Sequence, residues 1–215
     1  MYVPEHFRET RPEVLQRFLA QHPLATLVAM TPQGLSAHHL PLRAQLSGPD
    51  SGVLRGHIAR ANTLWRELAD GTPVLAIFTG PDAYVSPAWY PSRAQHGKVV
   101  PTWNYAAVHV DGAIRFIHEA AWLRQLVTEL TDTYEEGRAD RWRVSDAPAA
   151  YIESMLAAIV GFEVTITRVV GKFKGSQNRP PADRAAVAAA LREEGRDAQE
   201  VAQLAPPQSD ASQRP

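Results

Sequence analysis

The segment Gly56–Trp65, GHIARANTLW, joins a strand ending near Ile58 to a helix that Asn62 can open. Free backbone N–H groups at a helix start, beside the Arg60 guanidinium, make an anion site of the kind that holds a phosphate. A surface arginine and an ordinary N-cap would read the same way. A second basic segment is Arg168–Arg179, RVVGKFKGSQNR. No acid stands between Glu163 and Asp183, while Arg168, Lys172, Lys174 and Arg179 are all basic. Gly171 and Gly175 allow close backbone approach, and Ser176, Gln177 and Asn178 supply donors and acceptors. A solvated basic loop after an edge strand is the plainer account. In the third segment, VVPTWNYAAVHV, alternation puts Trp103, Tyr105 and His109 on one strand face and Thr102 and Asn104 on the other. Aromatic and amide groups at a barrel mouth suit a planar heteroaromatic ligand, and a Trp and Tyr packed into the core fit the same pattern.

Histidine gives less. His38, His39, His57, His96 and His109 show no metal-ligand spacing, and adjacent His38 and His39 point to opposite faces of a strand. No metal is expected, and no catalytic residue is assigned. No cysteine is present, which excludes disulfides, thiolate nucleophiles and Cys-ligated clusters. Nucleophile-elbow, phosphate-loop and dinucleotide fingerprints are also missing.

The elements that must position these groups follow from periodicity. A T-x-x-E box at Thr10 and Glu13 precedes a helix over about 11–22. Leu24–Met30 reads as a strand, a turn follows, and 35–46 reads as a single second strand. Val53–Ile58, PVLAIF and DAYVSP read as three more strands, with a short helix at 63–69. Residues 87–101 read as a loop. Asp111-Gly112 marks a two-residue hairpin turn between TWNYAAVHV and AIRFIH. Amphipathic helices are expected from Leu123 to Tyr134 and from near Pro148, then a half-buried strand FEVTITR and a helix over 182–194. The pattern implies a mainly β, α+β protein: an antiparallel, partly closed barrel with peripheral helices. Residues 1–195 read as one domain with a helical C-terminal extension, and the polar, Pro-rich 196–215 as a disordered tail.

Of the 215 residues, 22 are Lys or Arg and 23 are Asp or Glu. So even a balance argues against a generic nucleic-acid binder. The N-terminus shows no secretory h-region, and no apolar run approaches the ~20 residues of a membrane span. A cytoplasmic location is expected.

Taken in order, MYVPEHF, LVAMTPQGLSAHHLPL, GHIARANTLW, YVSPAWYPS, VPTWNYAAVHVDG and KFKGSQNRPPADR resemble the PaiB-type FMN-binding proteins over roughly residues 1–195. Where that family has K-L-S-Q-N-R, this chain has Gly175 in place of the leucine. The resemblance implies an FMN-binding split β-barrel, related to pyridoxamine-phosphate oxidases and flavin reductases, with the flavin at the interface of a homodimer. It also implies a negative transcriptional regulator, the alternative being an FMN-dependent oxidoreductase acting on a small molecule. DNA is a conceivable partner that the charge balance does not support. The cofactor contacts then expected are His57, Ala59, Arg60 and Asn62 of the first segment, Thr102, Trp103 and Asn104 of the third, and Lys174, Gln177 and Asn178 of the second. Arg60 and Asn62 would take the phosphate with help from Lys174. Asn104 or the backbone beside it would bond the ring, Trp103 would pack at its border, and Gln177 would be the likelier partner in the basic loop.

Overall fold

The computed structural model describes residues 1–195 and Val201. The strands are β1 (Arg8–Glu9), β2 (Leu24–Thr31), β3 (Gly34–Pro41), β4 (Arg43–Gly48), β5 (Ser51–Ala59), β6 (Pro73–Val85), β7 (Thr102–Ile117) and β8 (Ile159–Lys174). The helices are α1 (Pro12–Gln21), α2 (Leu64–Glu67), α3 (Ser92–His96), α4 (Ala120–Glu135), α5 (Ala149–Ala157) and α6 (Pro181–Glu194). The strands form an antiparallel sheet of order β3-β2-β6-β7-β8-β5-β4, with β1 added to β8.

Packing divides the chain into two units. The first comprises Met1–Thr10, Thr79–Val108 and the chain from Val170 onward; the second comprises Arg11–Phe78 and His109–Val169. The three long strands β6, β7 and β8 run through both. In β6 the buried positions change parity, from Val74, Ala76 and Phe78 to Ala83 and Val85. Gly80 and Pro81 stand where the alternation breaks, so they mark an irregularity inside one strand and not the turn between two strands that the sequence implies.

The first unit's core joins Ala83, Val85 and Tyr90 to Val187, Leu191 and Val201. Apart from Val201, the expected tail at 196–215 lies outside the described residues; Val201 itself is helical and buried. In the second unit Leu54, Ile58, Phe162 and Val164 are buried along β5 and β8, and a smaller cluster joins Leu123 of α4 to Ile152 and Leu156 of α5.

Several local expectations need correction. Asp111-Gly112 makes no hairpin: β7 passes straight through it. A Cβ on Gly112 would sit 2.4 Å from the Thr165 carbonyl oxygen, so the glycine serves close strand approach and not a turn. The expected strand over 35–46 breaks at Leu42. Pro41, without an N–H, ends pairing with β2, and β4 pairs with β5 instead. No side chain caps α1; Pro12 opens it with a preset φ. Residues 87–101 contain a 3-10 turn, Pro87–Trp89, and helix α3. Arg168–Lys174 belongs to β8, which has neighbours on both sides, so the basic segment is largely strand and only 175–180 is loop.

Candidate functional site

In the first unit, the start of β7 and the end of β8 bring Thr102, Trp103 and Asn104 to Lys174. The Lys174 ammonium donates to Thr102 Oγ1 at 2.5 Å and to the Trp103 carbonyl oxygen. Both partners are neutral. Burial, then the charges of Lys172 and Arg179, lower the Lys174 pKa from its ordinary value. Lys172 lies 5.1 Å from the centre of the Tyr105 ring, and the Arg179 guanidinium lies 4.9 Å from that of Tyr90. Three cations therefore stand in one corner, two of them over aromatic faces.

Strand alternation places Trp103 and Asn104 oppositely, as the sequence implies. Trp103 is 54% exposed and stands T-shaped against Tyr84 with centroids 6.0 Å apart, while Asn104 is 1% exposed. The Asn104 amide donates to Ser176 Oγ at 3.0 Å, and the Ser176 hydroxyl stands 3.2 Å from Asn104 Oδ1. Ser176 holds a left-handed φ of 66°. That conformation disfavours a side chain other than Gly, Asn or Asp, so the buried amide contact fixes a turn the backbone alone would not prefer. Gln177 turns back on its own loop: its Oε1 accepts from Gly175 N at 2.7 Å and its Nε2 donates to the Phe173 carbonyl at 2.6 Å. Asn178 is exposed.

The loop's far end is tied as well. Asp183, in the first turn of α6, accepts from Ser92 N at 3.0 Å and from the Ser92 hydroxyl at 2.6 Å. Burial pushes the Asp183 carboxyl pKa up, but the two Ser92 hydrogen bonds, with Arg179 and His96, outweigh it and hold the carboxyl below its ordinary value. Sequence reasoning missed Tyr84, Ser92 and Asp183. Ser92 and Asp183 stand 91 positions apart; both fall in segments that carry the family resemblance, but nothing in the spacing along the chain pairs them.

The remaining expected residues lie in the second unit. Arg60 donates from Nε to the Ala157 carbonyl at 2.7 Å and from Nη2 to the Ile159 carbonyl at 2.8 Å, while its backbone N–H reaches the Ala158 carbonyl. The Ala157 and Ala158 carbonyls close α5, where a cation is favoured by the helix dipole, and the Ile159 carbonyl opens β8. Asn62 accepts from Leu64 N at 3.0 Å and contacts His38 Nδ1 at 3.2 Å. The α2 helix it introduces has only four residues. Ala59 pairs with Ile159 across β5 and β8. His57 Nδ1 is buried without a partner, and burial lowers the imidazole pKa.

The donor set of the first-unit corner fits an anionic ligand with a planar ring. Lys174 has only neutral oxygens as hydrogen-bond partners among the described residues, like charges surround it, and a half-exposed indole stands next to it.

Comparison with known proteins places the chain. Residues 1–168 match the family described as "Putative FMN-binding domain". The chain is 35% identical to the protease synthase and sporulation protein PAI 2 of Bacillus subtilis, over 95% of this chain and 96% of that protein. It is 32% identical to an uncharacterized protein of Emericella nidulans, over 92% of this chain and 93% of the other. Among solved structures, an FAD- and heme-binding protein from Mycobacterium smegmatis superposes with a TM-score of 0.58 at 22% identity, over 83% of this chain and 79% of that one. A flavocytochrome from Azotobacter vinelandii superposes with a TM-score of 0.60 at 17% identity, over 86% and 78%. At those identities the two structures speak to the fold alone, a split β-barrel with added helices. By its sequence match and its relatives, the chain belongs to the FMN-binding family that includes the Bacillus PAI 2 protein.

Proposed function

We propose that the first-unit corner formed by Thr102–Asn104 and Lys174–Arg179 holds FMN, and that the protein works in the cytoplasm as a homodimeric, flavin-dependent regulator of the PaiB type. The observation that carries the cofactor placement is Lys174: a partly buried cation bonded, among the described residues, only to neutral oxygens and crowded by two like charges. Such a group gains from an incoming anion, and the phosphate of FMN is one. When bound, FMN supplies a carrier for one or two electrons. This chain's own residues do the holding. Lys174, with Lys172 and Arg179, draws the phosphate; the exposed Trp103 face gives a ring a surface to pack on; and Asn104 and Gln177 shape the loop that presents Asn178. Tyr84, Val100 and Trp103, all exposed, are apolar surface for a second copy to cover.

A second reading, an FMN-dependent oxidoreductase acting on a small molecule, is favoured by the formal net charge of −1, which offers DNA no general attraction. The visible spectrum of the purified protein, an FMN titration and sedimentation with FMN present test the shared part. A colourless protein that FMN does not titrate, or a monomer at micromolar concentration, contradicts it. Salt-dependent DNA affinity supports the regulator; flavin-dependent turnover of a reductant without such affinity supports the enzyme. No described helix is long and apolar enough to cross a membrane.

A further inference from the structure

We infer that the second unit carries a separate binding site for a small, uncharged, flat molecule of one or two rings bearing an oxygen acceptor, in a cavity walled by α4, α5, the segment joining them and His57 of β5. The cavity measures about 320 Å³. That is near the lower end of small-molecule sites, which run from about 300 to 1,000 Å³.

Its chemistry is narrow. Val127, Ile152, Leu156 and Ile159 give aliphatic wall, and Trp142 and Tyr151 give aromatic wall. Among the described residues no Asp, Glu, Lys or Arg lines it, so none of them would compensate a phosphate or a carboxylate. The lining therefore does not suit FMN, and the site stands independently of the flavin placement above. Three of its large apolar residues remain open to solvent: Trp142 is 45% exposed, Tyr151 55% and Met155 45%. A ligand seated among them covers apolar surface that the chain leaves wet.

The polar feature is His57. Neither ring nitrogen has a hydrogen-bond partner among the described residues, and Nδ1 is sealed from solvent. A neutral imidazole has one N–H and one bare nitrogen. A buried orphan N–H is the costlier of the two to strand, so the proton belongs on Nε2 and the ring is a donor in search of an acceptor. A phenol or quinone oxygen fills that role, while the rest of the molecule meets a lining whose other polar groups are the uncharged Thr131 and Tyr151 hydroxyls and the Trp142 indole N–H.

The test uses the full chain saturated with FMN, in equilibrium dialysis with 2-naphthol and with 2-methylnaphthalene, which replaces the hydroxyl by a methyl. One 2-naphthol should bind per chain, more tightly than the hydrocarbon. Met155→Trp, which fills the mouth from a half-exposed position, should weaken both probes at least about tenfold, and Tyr151→Arg should do so independently should the first variant melt early. His57→Phe should weaken 2-naphthol about fivefold, the order of one neutral hydrogen bond, and leave 2-methylnaphthalene unchanged. FMN titrations of all three variants should match the parent. Unchanged naphthol binding in both mouth variants overturns the site, as does an equal loss of both probes in His57→Phe. Binding of 2-naphthol to the FMN-free chain that is lost on saturation with FMN would assign the cavity to the flavin, which also overturns it. A mouth variant that shifts the sedimentation of a chain that binds neither probe points to a protein–protein contact and rejects the small-molecule reading.

Discussion

Lys174 and Arg60 are both basic residues at the end of a strand, and the sequence marks both for an anion. What lies against them differs. Arg60 ends on the Ala157 and Ile159 carbonyls, the first of them in the closing turn of α5, which concentrates negative partial charge. Its charge is answered from within the protein. Lys174 meets a hydroxyl and one carbonyl and has two cations for company. Its charge is left for something else to answer. A basic residue near a strand end thus signals either a helix tie or an anion site, and only the surrounding dipoles decide which.

The largest expected effect separates the two directly. Lys174→Met should weaken FMN by about one to two orders of magnitude, since a charge-assisted hydrogen bond is worth about 1.5–3 kcal/mol. Its melting temperature should fall less than that of Arg60→Met, because the like charge that leaves the corner offsets the two hydrogen bonds lost to Thr102 and the Trp103 carbonyl. Arg60→Met should do the reverse. Stranding two carbonyls where α5 gives way to β8 should cost about 2 kcal/mol in denaturant unfolding, with FMN affinity within about threefold of the parent. A tenfold loss of FMN affinity in Arg60→Met would give the phosphate to Arg60 and dissolve the contrast.

Next in size is the tie at the far end of the basic loop. Ser92→Ala should cost about 1–2 kcal/mol, since it removes one of two hydrogen bonds to a buried carboxylate. Asp183 also sets a pH dependence. Its folded pKa lies below the ordinary 3.8, so the unfolded chain binds its proton first as the pH falls. The stabilisation is complete above about pH 5 and fades as the pH drops through 3.8 and then through the folded pKa. Asp183→Asn should flatten that acid limb of an unfolding-versus-pH curve; an unchanged limb would mean the carboxylate is not what Ser92 holds.

How much of this was legible follows from how local each signal is. Helical periodicity placed α4 and α5, alanine content placed α6, and strand alternation correctly separated exposed Trp103 from buried Asn104. The acid-free run from Val164 to Ala182 marks the basic corner along the chain itself. Asp111-Gly112 misled because a glycine required by a carbonyl 2.4 Å from its would-be Cβ looks, along the chain, like a glycine required by a turn. Gly80-Pro81 misled for the same reason: a break in alternation within a strand has the composition of a loop. The Ser92–Asp183 pair and the carbonyls that receive Arg60 come from distant sequence, and no periodicity reports them.

The smallest expected effect tests whether the corner is built by the Asn104–Ser176 contact or by the backbone. Ser176 sits at φ 66°, which costs an L side chain roughly 1–2 kcal/mol and costs glycine almost nothing. Its hydroxyl contact with the buried Asn104 amide returns about 1 kcal/mol. Ser176→Gly relieves the backbone and loses the contact, and it also frees the unfolded chain by about 0.4–1 kcal/mol. These terms nearly cancel, so its unfolding free energy should stay within about 0.5 kcal/mol of the parent. Ser176→Ala keeps the strain and still loses the contact, so it should fall about 0.5–1 kcal/mol below Ser176→Gly, the strain less the glycine's extra unfolded-chain freedom. If the turn presents the FMN contacts, Ser176→Gly should release FMN faster at unchanged stability, because a glycine there no longer holds the loop in one conformation. Stopped-flow release rates beside denaturant curves read both quantities. An alanine variant more stable than the glycine variant would show that the left-handed turn carries no strain, and that Asn104 has nothing to hold in place.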